Sequence, residues 1–133
     1  MTAGSPKPAK RVLVLDDEPN IRESLAEYLE DCGFDVLTAE SGELALGLPL
    51  LDEVAVALVD IRLGGMDGLE FIRRMHERFP GAVCLIHTGS TDFQLDDGLR
   101  DIGVTEHDVF FKPVADMRIF ESAIRKIMAE AGS

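Results

Sequence analysis

Short runs of almost continuous apolar residues alternate along this chain with longer segments in which apolar residues return every three or four positions. The first run, Arg11-Val12-Leu13-Val14-Leu15, is too short for a helix and too apolar to leave one face in water, so it predicts a strand buried on both faces. From Pro19 to Cys32, the residues Ile21, Leu25, Tyr28, Leu29 and Cys32 recur at helical spacing, with Pro19 suited to a first turn and Gly33 to a stop. Asp35 to Ala39 predicts a weaker strand, and Ser41 an N-cap for a short helix through Glu43 and Leu46 that Pro49 limits. Val54 to Val59 predicts a third strand. The turn Gly64-Gly65-Met66-Asp67-Gly68 then leads into a helix from Leu69 to Phe79 with Leu69, Ile72 and Met75 as its inner stripe, closed by Pro80-Gly81. Val83 to Ile86 predicts a fourth strand continuing through His87 to Thr88, and the polar segment Ser90 to Ile102 a helix with a thin apolar stripe. Val109-Phe110-Phe111 makes a fifth strand, and Asp116 to Ala131 a final amphipathic helix using Ile119, Phe120, Ala123, Ile124 and Ile127. Alternation of this kind implies an α/β fold, a parallel sheet with helices on both faces and right-handed crossovers.

At 133 residues and 46% hydrophobic content the chain is sized for one domain with a substantial core. Its formal charge of -12, from 13 basic against 25 acidic residues, repels phosphate backbones and anionic lipid surfaces, which argues against nucleic acid and membrane as partners. No run approaches the roughly 18 consecutive apolar residues of a membrane span. Cys32 and Cys84 lie in apolar stretches without a Cys/His cluster, which predicts buried reduced thiols. Residues 1–9 read as a flexible leader and 10–131 as the folded domain; a cytoplasmic location follows as the default.

The strand ends carry the chemistry. Asp16-Asp17, Asp60, Thr88 and Lys112 each close an apolar run, and in an open α/β sheet the loops at the carboxyl ends of the strands form the ligand crevice. Adjacent Asp16 and Asp17 repel each other, a cost that a hard divalent cation removes, and Mg²⁺ suits a site of one or two carboxylates that also bridges to phosphate. Helix capping is the plain alternative for an Asp-Asp-Glu sequence; with Asp60 and Lys112 in the same pattern the metal reading is preferred. A carboxylate such as Asp60 can act as a nucleophile and form an acyl phosphate. Lys112 offers a compact positive charge, and Thr88 a hydroxyl with Gly89 beside it leaving space. Each group alone has an ordinary structural explanation; together they supply what phosphoryl transfer asks for, positioning and charge neutralisation.

Four stretches resemble the receiver domain of two-component response regulators: Val12-Leu13-Val14-Leu15-Asp16-Asp17-Glu18-Pro19; Leu58-Val59-Asp60-Ile61-Arg62-Leu63 with Gly65-Met66-Asp67-Gly68; His87-Thr88-Gly89; and Phe110-Phe111-Lys112-Pro113. The likeness covers about residues 10 to 130. It implies a flavodoxin-like, doubly wound five-stranded sheet in the order 2-1-3-4-5. It further implies Asp60 as the phosphoacceptor, Asp17 and Asp60 as direct Mg²⁺ ligands, Asp16 as a ligand through water and the backbone carbonyl of Arg62 as a further ligand. Thr88 becomes the switch hydroxyl and Lys112 the phosphate-pairing lysine, with a cis Lys112-Pro113 peptide. The implied partners are a sensor histidine kinase or histidine phosphotransfer protein, followed by an output domain, a partner protein or a second copy of the chain. Such a protein is not an enzyme beyond its own phosphorylation and dephosphorylation.

Three departures from the family pattern stand out. Gly64 occupies a position usually held by proline, Val109 one usually aromatic, and the segment between Thr88 and Lys112 is about two residues long for the family and lacks a Gly-Ala turn at Thr105 to Asp108. Two other functions compete. A phosphatase-type hydrolase also uses an Asp nucleophile and Mg²⁺ and needs a second carboxylate, for which Asp67 is the nearby candidate. A receiver that has lost signal readout and serves as a fixed interaction module is the other. His76, His87 and His107 do not share metal-ligand spacing and read as structural or exposed, and Arg62 and Ser90 flank the site.

Overall fold

The computed structural model describes residues 11–62 and 67–131, the last of these by its backbone alone. Five strands form one parallel sheet: β1 (Arg11–Leu15), β2 (Asp35–Ala39), β3 (Val54–Val59), β4 (Val83–Thr88) and β5 (Val109–Phe111), in the order β2-β1-β3-β4-β5. The strand bounds agree with the apolar runs because a strand buried on both faces has no polar position at which to slip. Alternate residues feed two cores. Leu13, Leu15, Ala57, Val59 and Ile86 face one side with Phe71, Ile72 and Met75, while Val12, Val14, Val56, Leu58 and Leu85 face the other with Leu25, Leu29, Phe120 and Ile124.

Helices α1 (Pro19–Asp31) and α5 (Arg118–Ala131) cover the second face; α2 (Gly42–Leu46), α3 (Gly68–Arg78) and α4 (Asp97–Asp101) cover the first. Helix α1 stops where Gly33 takes φ +97°, with the Gly33 amide donating to the Glu30 carbonyl (2.9 Å) and the Phe34 amide to that of Leu29 (3.1 Å). This is a Schellman ending, and it seats Phe34 against Leu29 in the core. In α2 the Ser41 hydroxyl accepts from the Leu44 amide, as its sequence position suggests.

Several sequence expectations are corrected. The helix expected over 90–102 contracts to α4, because polar side chains in the preceding stretch bond locally: the Ser90 amide to Thr88 Oγ1 (3.0 Å) and the Ser90 hydroxyl to Asp92 Oδ1 (2.8 Å). Asp96 then starts the helix by accepting from the Leu99 amide at 2.8 Å. The final helix begins at Arg118 and not Asp116, whose carboxylate is taken up by the Arg118 amide and guanidinium. Ile119 is 42% exposed, so the inner stripe of α5 runs through Phe120 and Ile124. In α3 the deepest residues are Phe71, Ile72 and Met75, with Leu69 only half-buried. Cys84 is buried, its thiol pushed up to about 12 by burial, whereas Cys32 is half-buried; both are free. The leader at 1–9 and Gly64 lie outside the described residues.

One close approach ties α3 to the strand that ends at Asp60. The Gly68 amide donates to the Ile61 carbonyl at 3.0 Å, and a Cβ at Gly68 would run into the Asp60 carbonyl oxygen and stand 2.8 Å from Ile61 Cα. Both obstacles are backbone and cannot turn aside. Gly68→Ala is expected to lower the unfolding free energy by about 1–3 kcal/mol, read from the urea midpoint; an unchanged midpoint would show that α3 can back away from the strand freely.

Candidate functional site

Backbone ladders carry the two key carboxylates to the sheet's rim. Beyond β1 the Asp16 amide donates to the Ala39 carbonyl (3.2 Å), and beyond β3 the Asp60 amide donates to the Leu15 carbonyl (2.9 Å). Both side chains are thereby held where the chain leaves the sheet, Asp16 2% and Asp60 3% exposed. Asp16 is braced on two sides: its Oδ1 accepts from the Glu18 amide (2.9 Å) and its carbonyl from Arg22 Nη1 (2.8 Å). Asp60 Oδ1 accepts from the Arg62 amide at 3.0 Å.

Lys112 enters from the far strand and closes the group. Its amide donates to the Thr88 carbonyl (2.8 Å), which fixes the start of the loop after β5, and the Lys112-Pro113 peptide is cis. Its ammonium lies 3.0 Å from Asp16 Oδ2, 3.2 Å from Glu18 Oε1 and 3.2 Å from Asp60 Oδ2. Asp16, Asp17, Glu18 and Asp60 each offer an oxygen within 4.8 Å of the others. Four carboxylates against one ammonium leave an excess of negative charge, and an all-oxygen donor set of this kind fits a hard divalent cation. Glu18 was not singled out in the sequence as a ligand, although it follows the acidic pair directly; only the bend after β1 turns it toward Lys112.

Electrostatics follow the burial. Burial pushes the Asp60 carboxyl up from the usual carboxylate range, and the charge of Asp16 adds to the rise, against the Arg62 amide and the Lys112 ammonium, which pull it down. For Lys112, burial alone would lower the ammonium, but its hydrogen bond with Asp16 and the charges of Asp16 and Asp60 outweigh that and raise it. The cation is therefore firmly protonated at neutral pH.

Thr88 is fully buried at the end of β4, its Oγ1 accepting from the Ser90 amide. Arg62 reaches across the mouth: its Nη2 donates to Ser90 Oγ at 3.0 Å, and that hydroxyl donates to Asp92. The two flanking residues thus form one polar arch from the β3 end to the β4 end. Asp67 is committed elsewhere, accepting from the Glu70 amide at 2.8 Å as the cap of α3. The carboxylate that a phosphatase reading would use as acid/base thus serves as a helix cap. His87, one residue before Thr88, is 5% exposed and packs edge-on against Phe120 (5.0 Å between centroids). Neither ring nitrogen has a partner among the described residues. His76 is half-buried and His107 exposed.

The family model described as "Response regulator receiver domain" matches residues 12–124. The transcriptional regulatory protein AruR of Pseudomonas aeruginosa is 44% identical, over 92% of this chain and 53% of its own length. A cyclic di-GMP phosphodiesterase of Thermotoga maritima is 35% identical, over 77% of this chain and 27% of its own length. The chain thus spans from about a quarter to about half of these curated relatives. Among solved structures, a CheY-like receiver domain protein of Methanospirillum hungatei superposes with a TM-score of 0.78 at 27% identity, covering 92% of this chain and 96% of that one. The response regulator TrrA of Thermotoga maritima, solved with Mg(2+)-BeF, superposes with a TM-score of 0.75 at 29% identity, covering 89% and 98%.

Burial of His87, aided by the Lys112 charge and opposed by that of Glu18, drops its imidazole from 6.5 to about 4. The folded state therefore keeps His87 neutral in a range where the unfolded chain takes up a proton. Stability from this residue is complete above pH 6.5 and is lost as pH falls toward about 4, with a slope of up to about 1.4 kcal/mol per pH unit. Urea unfolding of the wild type and His87→Leu between pH 7 and pH 4 is expected to show the variant gaining on the wild type as pH falls. Parallel curves would contradict a buried neutral imidazole.

Proposed function

Because the chain belongs to the response-regulator receiver family, we propose that it accepts a phosphoryl group on Asp60 from a phosphohistidine of a sensor histidine kinase or a histidine phosphotransfer protein. The observation that carries this reading is the position of the Asp60 carboxylate, buried at the rim with Lys112 at 3.2 Å and three more carboxylates close by. A carboxylate oxygen of Asp60 attacks phosphorus, the P–N bond to the donor imidazole breaks, and that bond's electron pair stays on the imidazole nitrogen, which takes a proton.

The residues that would hold Mg²⁺ are Asp17 and Asp60 directly and Asp16 through water, with the Arg62 carbonyl completing the protein's share; Glu18 lies within the same acidic group. When bound, the ion neutralises the crowded carboxylates and the oxygens of the incoming phosphoryl group. Lys112 keeps its charge at the strand end, ready to pair with a phosphoryl oxygen, and the Thr88 hydroxyl is the second donor. Thr88 leads onward. Its carbonyl accepts from the Lys112 amide, and in the ladder it stands opposite Phe111, which is 44% exposed. A turn of the Thr88 hydroxyl toward a phosphoryl group has a route to that outer strand, and from there to an output domain, a partner protein or a second copy, without an aromatic residue at position 109.

Incubation with acetyl phosphate and Mg²⁺, followed by mass spectrometry, is expected to add one phosphoryl group to the wild type and none to Asp60→Asn. Lys112→Ala is expected to slow the reaction by about 100-fold. Excess EDTA should stop it and added Mg²⁺ restore it. Full phosphorylation of Asp60→Asn, or indifference to EDTA, would overturn the assignment.

A further inference from the structure

The loop that delivers the acidic pair to the rim is closed by a cation. Arg22 stands one turn into α1, half-buried, and its side chain folds back so that Nη1 donates to the Asp16 carbonyl at 2.8 Å. The Arg22 amide donates to the Glu18 carbonyl at 2.9 Å, so residues 16–22 form one closed loop. Asp16 is thereby held at three points: its amide on the Ala39 carbonyl, its Oδ1 by the Glu18 amide and its own carbonyl by Arg22. Asp17 has no such hold. Its exposed carboxylate makes no hydrogen bond or ion pair among the described residues, yet one of its oxygens lies within 4.8 Å of those of Asp16, Glu18 and Asp60. A carbonyl and the amide that follows it share one rigid plane, so a grip on the Asp16 carbonyl fixes the direction in which the chain enters Asp17.

We propose that Arg22 is a positioning residue for the cation site, holding the Asp16-Asp17 peptide plane so that the Asp17 carboxylate faces the space it shares with Asp60. This role rests on the reading of Asp17 and Asp60 as the direct ligands of Mg²⁺. Charge alone argues for the opposite effect. Arg22 places a positive charge beside Asp16, a member of the acidic group, where it repels an incoming cation. A cation near a helix N-terminus also opposes the helix dipole. Neutralising the carboxylates falls to Lys112, whose ammonium touches three of them, whereas Arg22 makes no ion pair among the described residues and spends its donor on a neutral carbonyl. Loss of a group that orients metal ligands typically weakens the metal by about 10–100-fold. The two roles therefore differ in sign: removing a merely repelling charge tightens Mg²⁺, and removing a positioning contact loosens it.

Titrating Mg²⁺ into the ¹⁵N-labelled protein and following amide shifts measures this affinity with no phosphodonor present. Arg22→Met, which removes the charge and the donors but keeps an apolar stem, is expected to weaken Mg²⁺ about tenfold. Arg22→Gln, the milder change should the first variant fold poorly, is expected to weaken it in the same direction. Arg22→Lys keeps a charge and a donor and should recover most of the wild-type affinity. With acetyl phosphate, the Mg²⁺ concentration for half-maximal labelling should rise by the same factor in Arg22→Met, with the maximal rate falling much less. Affinity in the Met and Gln variants equal to or tighter than that of the wild type, or an Arg22→Lys variant that binds no better than Arg22→Met, would overturn the positioning role while leaving phosphorylation of Asp60 standing. A wild type that binds no Mg²⁺ would overturn both.

Discussion

Negative charge gathered in a small space is the constraint around which this molecule is organised. Two of the four clustered carboxylates are almost fully buried, and a buried carboxylate without a partner costs several kcal/mol. The Lys112 ammonium, within 3.2 Å of three of them, is what makes the arrangement tolerable. Two unit charges about 3 Å apart attract by about 5 kcal/mol at an effective dielectric of about 20. One cation nevertheless cannot balance four anions, and the remaining negative charge suits a further hard cation. The site is in this sense incompletely neutralised by the protein's own residues.

The sheet makes that concentration of charge possible. Parallel strands point their carboxyl ends the same way, and the order β2-β1-β3-β4-β5 places β1 and β3 side by side. Asp16 and Asp60 therefore leave the sheet on adjacent strands, each anchored by an amide one residue past its strand. Lys112 must reach back from β5 across β4, and the bond from its amide to the Thr88 carbonyl sets its starting point. Burial on both faces holds the strands in register, so the rim is rigid while the loops above it remain free to differ from other receivers.

Those loops take their shape from local polar bonds. The segment after Thr88 is held by short-range polar bonds and an arch from Arg62 through Ser90 to Asp92, followed by α4 and a 3-10 turn at Glu106–Asp108. At β5 the half-buried Val109 packs toward the α3 face while Phe111 carries the exposed aromatic surface. On the opposite face, the buried His87 packs its polar ring edge-on against Phe120.

The strands, the fold class and the placing of Asp16, Asp17, Asp60, Thr88 and Lys112 at or just beyond strand ends were legible in the chain, because an apolar run buried on both faces ends where polar residues meet the rim. The short length of α4 was less legible, since local Ser and Asp side chains compete with a helix in ways that periodicity does not record. Deep burial of Phe71 and exposure of Ile119 depended on how the helices rotate against the sheet. The tertiary structure alone decided that Glu18 joins the acidic group and that His87 is buried with no hydrogen-bond partner for its ring nitrogens among the described residues. Sequence determines which groups stand at the strand ends; distances between residues some ninety positions apart, as in the bond from Lys112 to Glu18, exist only once the sheet has brought those ends together.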